Sequence, residues 1–357
     1  MKVCIIGKGL TSLTLAKSLV NKGIYVDILS DKKISNYEKF RTIGISKTNI
    51  DFFNNEISNI NKLLWKINKI NIFSENLKNE RLLNFVNLKN QLFSIIKNDH
   101  LYNHLIKELK KNKFFQDKKL IYNEKNLQKK YNIIVNCDLN NFLSKKYFNK
   151  KLNKKYNSFA YATIIKHKKF NKNNTAVQVF TKKGPIAFLP ISEYETSIVY
   201  SVRGSEHLDL KDAIKKYNTK YSIVKINKIL KFELKSMNLR SYYYKNFLAF
   251  GDLLHKLHPL AGQGFNMSLR DTKILSDLIK FKINHGLEID KSICKDFEKI
   301  TKHKNYLFSN GVDFIYEFFN FESKLDNPIV SKSVQFLGNN RYLNSFFTKM
   351  ADKGLMM

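Results

Sequence analysis

The hydrophobic pattern of the first thirty positions changes period twice. Lys2-Val3-Cys4-Ile5-Ile6 is a short apolar run of the kind that forms a buried strand. Gly7-Lys8-Gly9 follows as a tight turn. From about Thr11 to Asn21 the apolar residues Leu13, Ala16, Leu19 and Val20 share one helical face. Gly23 stands where glycine ends a helix in the left-handed conformation, and Ile24 to Leu29 returns to strand character. The pattern predicts a βαβ unit with parallel strands.

The middle of the chain reads differently. Phe159 to Ile165, Ala176 to Phe180, Pro185 to Ile191 and Thr196 to Val202 are short strand-like runs. Turn-like segments such as Lys182-Lys183-Gly184 and Ser192-Glu193-Tyr194 separate them, which predicts an antiparallel meander. Phe247 to Phe250 forms a further strand, followed at once by Gly251-Asp252. A helix is predicted from about Asn266 to Ile283, with Leu275, Leu278, Ile279 and Ile283 inward. The last seventy or so residues read as helical and broken near Pro328 and Gly338. There, Phe314, Tyr316, Phe318, Phe319 and Phe321 are expected in core or interface, with a lipid-facing surface as the second reading.

At 357 residues the chain exceeds what one core usually serves, so two or three sub-domains are expected. No apolar run approaches the roughly 18–20 residues that span a bilayer. The formal net charge is +33. It has two readings: an anionic partner, or compositional drift in a chain rich in Lys, Asn, Ile, Phe and Tyr. No nucleic-acid-binding signature accompanies the charge, so no nucleic-acid partner is expected. Lysine-rich stretches at Lys110–Lys113, Lys145–Lys155 and Lys166–Lys172 read first as solvated loops or helix faces. Cys4, Cys137 and Cys294 are isolated, which points to no disulfide framework, no metal site and a reducing compartment. Because strand character begins at Val3, no targeting segment is expected and the bacterial cytoplasm fits.

Candidate chemistry begins at Gly7-x-Gly9-x-x-Ser12, between a strand and a helix. Gly7 permits the turn, Gly9 lets backbone N–H groups approach a pyrophosphate, and the helix start, with Leu10 and Thr11, adds partial positive charge. Ser12 is small enough for close helix–strand packing. The second strand ends at Ser30 and Asp31, either of which is placed to meet a ribose. The turn alone does not distinguish NAD from FAD.

Gly251 to Asn266 carries the second motif. Asp252 is a carboxylate suited to sugar-like hydroxyls, Pro259 turns the chain, and Gly262 and Gly264 bare backbone N–H groups at a new helix start. The pattern of Gly-Asp, six residues, Pro, then Ala-Gly-Gln-Gly-Phe-Asn resembles the flavin ribityl motif of the ubiquinone-biosynthesis hydroxylases. These are FAD-dependent class A aromatic monooxygenases related to p-hydroxybenzoate hydroxylase. Arg41 to Ser46, Leu92 to Asn98, the strands from Thr175 to Pro190 and the tail from Phe297 to Gly354 resemble the same family in order. One segment departs: where the family has an Asp-Gly motif, this chain has Asp138-Leu139, and Phe142 replaces a usual serine.

The resemblance implies an α/β protein (α+β in total): a Rossmann-like FAD-binding domain, an inserted antiparallel-sheet substrate domain and a C-terminal helical region. The expected divisions are about 1–51, 91–155 and 241–285 for the first, 52–90 and 156–240 for the second, and 286–357 for the third. It implies FAD contacts at Arg41, Asn98, Asp138, Gly251, Asp252, Pro259, Gly262, Gln263, Gly264, Phe265 and Asn266, beside the first-turn residues. NADH or NADPH would reduce the flavin, and oxygen would reach a polyprenyl-phenol ring through a flavin C4a-hydroperoxide. Few side chains need act as acids or bases; His258 is the candidate catalytic residue, against a shape-filling role, and His255 is expected at a helix or turn surface. Peripheral contact with an anionic inner membrane and with other ubiquinone-biosynthesis proteins is expected. Alternatives are a flavin reductase, a non-catalytic scaffold with the same fold and, from charge alone, a nucleic-acid binder.

Overall fold

The computed structural model describes residues 1–31, 39–77, 80–87, 91–119, 123–204, 209–257 and 262–325, with the single positions Lys332, Gln335 and Asp352. Side chains 315, 319, 320 and 322–325 are not among those described. His258, Pro259, the Phe319 side chain and the breaks expected near Pro328 and Gly338 lie outside the described residues.

In chain order the first elements are β1 (Lys2–Ile6), α1 (Leu10–Val20), β2 (Tyr25–Ser30), β3 (Thr42–Ser46) and α2 (Lys47–Phe52). Next come β4 (Trp65–Ile67), β5 (Lys69–Ser74), β6 (Arg81–Val86), β7 (Phe93–Lys97), α3 (Asn98–Lys110) and β8 (Phe115–Lys119). They are followed by α4 (Glu124–Lys130), β9 (Ile133–Asn136), α5 (Phe142–Tyr147), β10 (Lys151–His167), β11 (Thr175–Thr181), β12 (Gly184–Pro190) and β13 (Glu195–Arg203). The last are α6 (Leu210–Tyr217), β14 (Ile223–Ile226), β15 (Leu230–Leu239), β16 (Tyr243–Tyr244), β17 (Phe247–Ala249), β18 (His255–Lys256), α7 (Gln263–Asn284) and α8 (Ser292–Leu325).

The first sheet has the order β16-β17-β9-β1-β2-β8, and every pair except the edge pair β16–β17 is parallel. Its central strands are covered on both faces. That is why Val3 to Ile6, Ile133 to Val135 and Phe247 to Ala249 are continuous apolar runs with almost no exposure. On one face α1 and α7 approach closely enough for Ser18 Oγ and Ser276 Oγ to hydrogen bond at 2.8 Å.

The second sheet runs β18-β15-β10-β13-β12-β11-β5-β6, with β14 also on β10. It is antiparallel except for the β11–β5 pair. Alternation decides its faces. Tyr161, Ile165, Ile186, Ile198 and Tyr200 pack beneath Leu210 and Ile214 of α6. The opposite face carries small residues in register, with Ala160 opposite Ser201, Ala162 opposite Val199, and Ala187 opposite Val199. β10 begins eight residues before the apolar run at Phe159. Its lysine- and asparagine-rich first part pairs Lys151–Lys155 with β15, and a register shift with Asn157 at φ +48° separates the two parts.

A small antiparallel sheet, β3-β7-β4, lies between the two. Thr42 Oγ1 donates to Ser197 Oγ at 2.8 Å, Lys97 pairs with Glu195 at 2.6 Å, and Ile67 and Ile95 pack on Ala176. Of the described residues between 52 and 87, Phe52, Phe53, Ile57 and Ile60 join the core of the first sheet, β4 belongs to the small sheet, and β5 and β6 belong to the large one. The aromatic cluster on α8 is divided: Tyr316 is buried in the core, whereas Phe314 and Phe321 are exposed.

Candidate functional site

β17, β9, β1 and β2 lie side by side and parallel, so their carboxyl ends form one edge. Along that edge the chain leaves the sheet at Gly251-Asp252, Cys137-Asp138, Gly7 and Ser30-Asp31. Backbone bonds hold these exits in step. Phe250 N–H donates to Asn136 O, Cys137 N–H to Ile6 O, and Gly7 N–H to Leu29 O, each at 2.9 Å. The carboxyl edge of parallel strands is where open α/β sheets bind their ligands.

Three glycines show how closely the segments meet. Gly7 has φ +102°, and a Cβ on it would lie 3.4 Å from the Asp138 backbone nitrogen. Gly251 has φ +61°, and a Cβ there would stand 2.9 Å from Thr11 Cγ2 in the first turn of α1. Gly262 has φ +64° and faces Gly44 of β3, whose nitrogen would be 3.6 Å from its Cβ. Gly9 and Gly264 are the reverse case, since nothing stands within 4 Å of a Cβ at either position.

Both helices therefore begin at a glycine. Gly9 caps α1 and Gly262 caps α7, and neither helix start is capped by a side chain. First-turn N–H groups without a side-chain cap, with open space beside Gly9 and Gly264, can receive anionic oxygens. Asp252 is exposed directly after β17, and Asp31 is exposed at the end of β2. Leu10 and Ser12 are buried against the sheet.

The remaining residues of the motifs divide between contact and support. The Arg41 guanidinium lies 5.2 Å over the Phe232 ring, between the small sheet and the large one. Asn98 N–H donates to Arg41 O at 3.1 Å, so the start of α3 is tied to that strand. Asn266 is 2% exposed, and its side chain is engaged within the protein. Its Nδ2 donates to Gly44 O at 2.8 Å, and its Oδ1 accepts from Ser46 N and Asn49 Nδ2, both at 2.9 Å. This side chain fastens α7 to β3. The Asp138 segment closes on itself: Asn140 N–H donates to Asp138 Oδ1 at 2.9 Å, Asn141 caps α5, and Ser144 Oγ donates to the Asp138 carbonyl.

Several supporting residues were not singled out by the sequence. Arg270, two helical turns beyond Gln263, donates to Gln263 Oε1 at 3.4 Å and lies over Phe308. Burial lowers its pKa to about 10, which leaves it charged at neutral pH. Asp352 returns to the start of α2, accepting from Thr48 N at 2.9 Å. His255 corrects the surface expectation: it is 2% exposed, and its Nε2 meets Asp271 Oδ2 at 2.6 Å. Asn305 Nδ2 donates to the other Asp271 oxygen at 3.0 Å. The pair thus joins the strand entering the 258–261 segment to the helix leaving it. A polar residue amid Leu253, Leu254 and Leu257 was the available signal.

Solved structures with this arrangement include Klebsiella pneumoniae HpxO complexed with FAD and uric acid, at TM-score 0.77 and 10% identity, over 99% of this chain and 97% of that one. The p-nitrophenol 4-monooxygenase PnpA of Pseudomonas putida matches at TM-score 0.74 and 11% identity over 97% of each chain. The fold is that of the FAD-dependent monooxygenases. No protein-family profile matches the chain. Among curated relatives, it is 24% identical over 256 residues to the mitochondrial ubiquinone biosynthesis monooxygenase COQ6 of Schizosaccharomyces pombe, covering 58% of this chain and 52% of that protein. It is 26% identical over 149 residues to the 3-demethoxyubiquinol 3-hydroxylase of Escherichia coli, covering 39% of this chain and 38% of that one. The matched stretches thus span about half, or less, of those relatives. Both relatives bear names from the group of hydroxylases that the Gly251–Asn266 motif resembles.

Proposed function

We infer that the chain binds FAD along the carboxyl edge of its parallel sheet and hydroxylates the aromatic ring of a polyprenyl phenol in ubiquinone biosynthesis, using NAD(P)H and oxygen. The observation that carries this reading is the convergence of the glycine-started helix α1 and the Asp31, Asp138 and Asp252 exits on one edge, with α7 starting at a second glycine against β3. It is supported by relatives named for ubiquinone-biosynthesis hydroxylation.

Each residue then has a task. The first-turn N–H groups of α1 hold the pyrophosphate, with Ser30 or Asp31 at the adenosine ribose and Asp252 at the ribityl chain. The start of α7, from Gly262 to Phe265, faces the negative edge of the reduced ring system. FAD, when bound, supplies the redox and oxygen chemistry. The protein positions the ring and excludes water. The ring is assigned to the small-residue face of the large sheet, with Ala160, Ala162, Ala187 and Ser201, on the side that carries Arg41. His258 is assigned to proton flow at the phenol. Peripheral contact with an anionic membrane and with other enzymes of the pathway, in a bacterial cytoplasm, completes the proposal.

The Asp138 turn favours one alternative, a flavin-fold scaffold without turnover, because its carboxylate is engaged by Asn140 in place of the family's Asp-Gly contact. Purified protein separates the two. A hydroxylase consumes NAD(P)H and oxygen faster when a prenylated phenol is added, and one oxygen atom from labelled O2 enters the ring. Bound flavin with no ring-dependent consumption would favour the scaffold.

A further inference from the structure

The outer face of α8 has no part in the site described above. Ile300, Leu307, Phe314 and Phe321 follow one another at seven-residue intervals, which bring an α-helix back to nearly the same side. All four are exposed, at 39%, 46%, 68% and 60% respectively. Phe297, Thr301, Phe308, Val312 and Tyr316 form the buried side of the same helix. An apolar stripe sustained over about 30 Å of exposed helix is more than scattered surface hydrophobics produce.

Charge selects the partner. Among the described side chains from 292 to 321, the exposed ionisable ones are Lys295, Lys299, Lys302, His303 and Lys304. Of the acids of this stretch, Asp313 is buried, Asp296 is half-buried, Glu298 pairs with Lys302, and Glu317, whose side chain is 45% exposed between Phe314 and Phe321, is neutralised by Lys154 at 3.2 Å. Lys304 lies one turn beyond Ile300, and Lys299 and His303 flank the stripe. The whole chain carries +33. A second copy packed in parallel here would set lysine against lysine, whereas an anionic lipid surface matches both the apolar stripe and its cationic border.

We propose that the outer face of α8 docks the chain on an anionic lipid leaflet. Phe314 and Phe321 enter below the headgroups, and Lys299 and Lys304 meet the phosphates. Among the described residues no helix is long and apolar enough to cross a membrane, so the contact lies at the leaflet surface. The proposal rests on the peripheral contact inferred above and names the surface that makes it.

The test is co-sedimentation of the purified full-length protein with vesicles of phosphatidylcholine alone or mixed with phosphatidylglycerol. Wild type should pellet with the mixed vesicles, release as salt rises, and ignore phosphatidylcholine alone. The variant Phe314→Ser/Phe321→Ser should bind at least about tenfold more weakly, with unchanged circular dichroism and melting temperature. Lys299→Gln/Lys304→Gln should show a shallower salt dependence. If wild type binds and the Phe double variant binds equally well, the α8 assignment is wrong while peripheral contact stands. If wild type binds neither vesicle, both are wrong. A wild-type dimer on size exclusion that the Phe double variant breaks would give the stripe to a second copy and overturn the lipid proposal.

Discussion

Gly251 lies against Thr11 with no room for a side chain: a Cβ would be 2.9 Å from Thr11 Cγ2, at a backbone φ of +61°. The contact joins the two glycine motifs, which are far apart in sequence, into one wall. We expect Gly251→Ala to lose roughly 2 kcal/mol of stability, from left-handed strain together with the clash. Adding Thr11→Ser should recover the part due to the clash. Urea unfolding of the single and double variants measures both; an unchanged midpoint for Gly251→Ala would show the contact is absent.

Asn266 should behave as a fastener. Asn266→Ala leaves the Gly44 carbonyl and the Ser46 N–H without their partner in a buried place. Each such loss costs on the order of 1–3 kcal/mol. We expect a lower melting temperature together with weaker flavin retention, because the start of α7 loses its register on β3. Normal stability with lost flavin would instead assign the side chain to the cofactor.

His255 and Asp271 form a buried pair whose rupture should be felt. His255→Ala removes the partner of Asp271 Oδ2 and leaves the Asn305 amide on Oδ1. We expect about 1–3 kcal/mol of destabilisation. His255→Asn, which retains a donor, should recover part of it. Equal melting temperatures for wild type and His255→Ala would contradict the pairing.

Asp27 gives a pH dependence of known sign. Burial raises its pKa, but hydrogen bonds from Lys118, Tyr131 and Lys2 outweigh burial and hold it below the ordinary value. A group depressed in the folded state contributes stability above its unfolded pKa, near 3.9, and loses it as pH falls through the folded value. We expect Asp27→Asn to be less stable than wild type at neutral pH, with the gap narrowing below about pH 4. A constant gap from neutral to strongly acid pH, read by guanidinium unfolding, would refute this.

The legible parts of the fold were those where local pattern and tertiary demand agree. α1 and β2 follow from Gly7, Gly9 and Gly23 punctuating apolar runs, and β11 to β13 fall within a residue of the runs that predicted them. The long β10 was partly hidden because Lys151 to Asn157 lie on a mostly exposed ladder, where no apolar alternation marks a strand. The separate β3-β7-β4 sheet and the parallel β11–β5 pair depend on long-range pairing, which no local spacing encodes. Within the site, glycines and carboxylates could be read because backbone geometry demands them. Arg270, Asp271 and Asp352 could not, since their partners are brought to them by α7, α8 and the far end of the chain.

If FAD fills the open space beside Gly9, as proposed, Gly9→Val protein will lack flavin. Gly9 has φ −81°, which any residue adopts, and no atom stands within 4 Å of its Cβ position. The substitution should cost the apoprotein only about 1 kcal/mol, from valine at the helix start, while wild type copurifies with stoichiometric FAD and Gly9→Val does not. Gly9→Val protein retaining as much FAD as wild type would contradict the account.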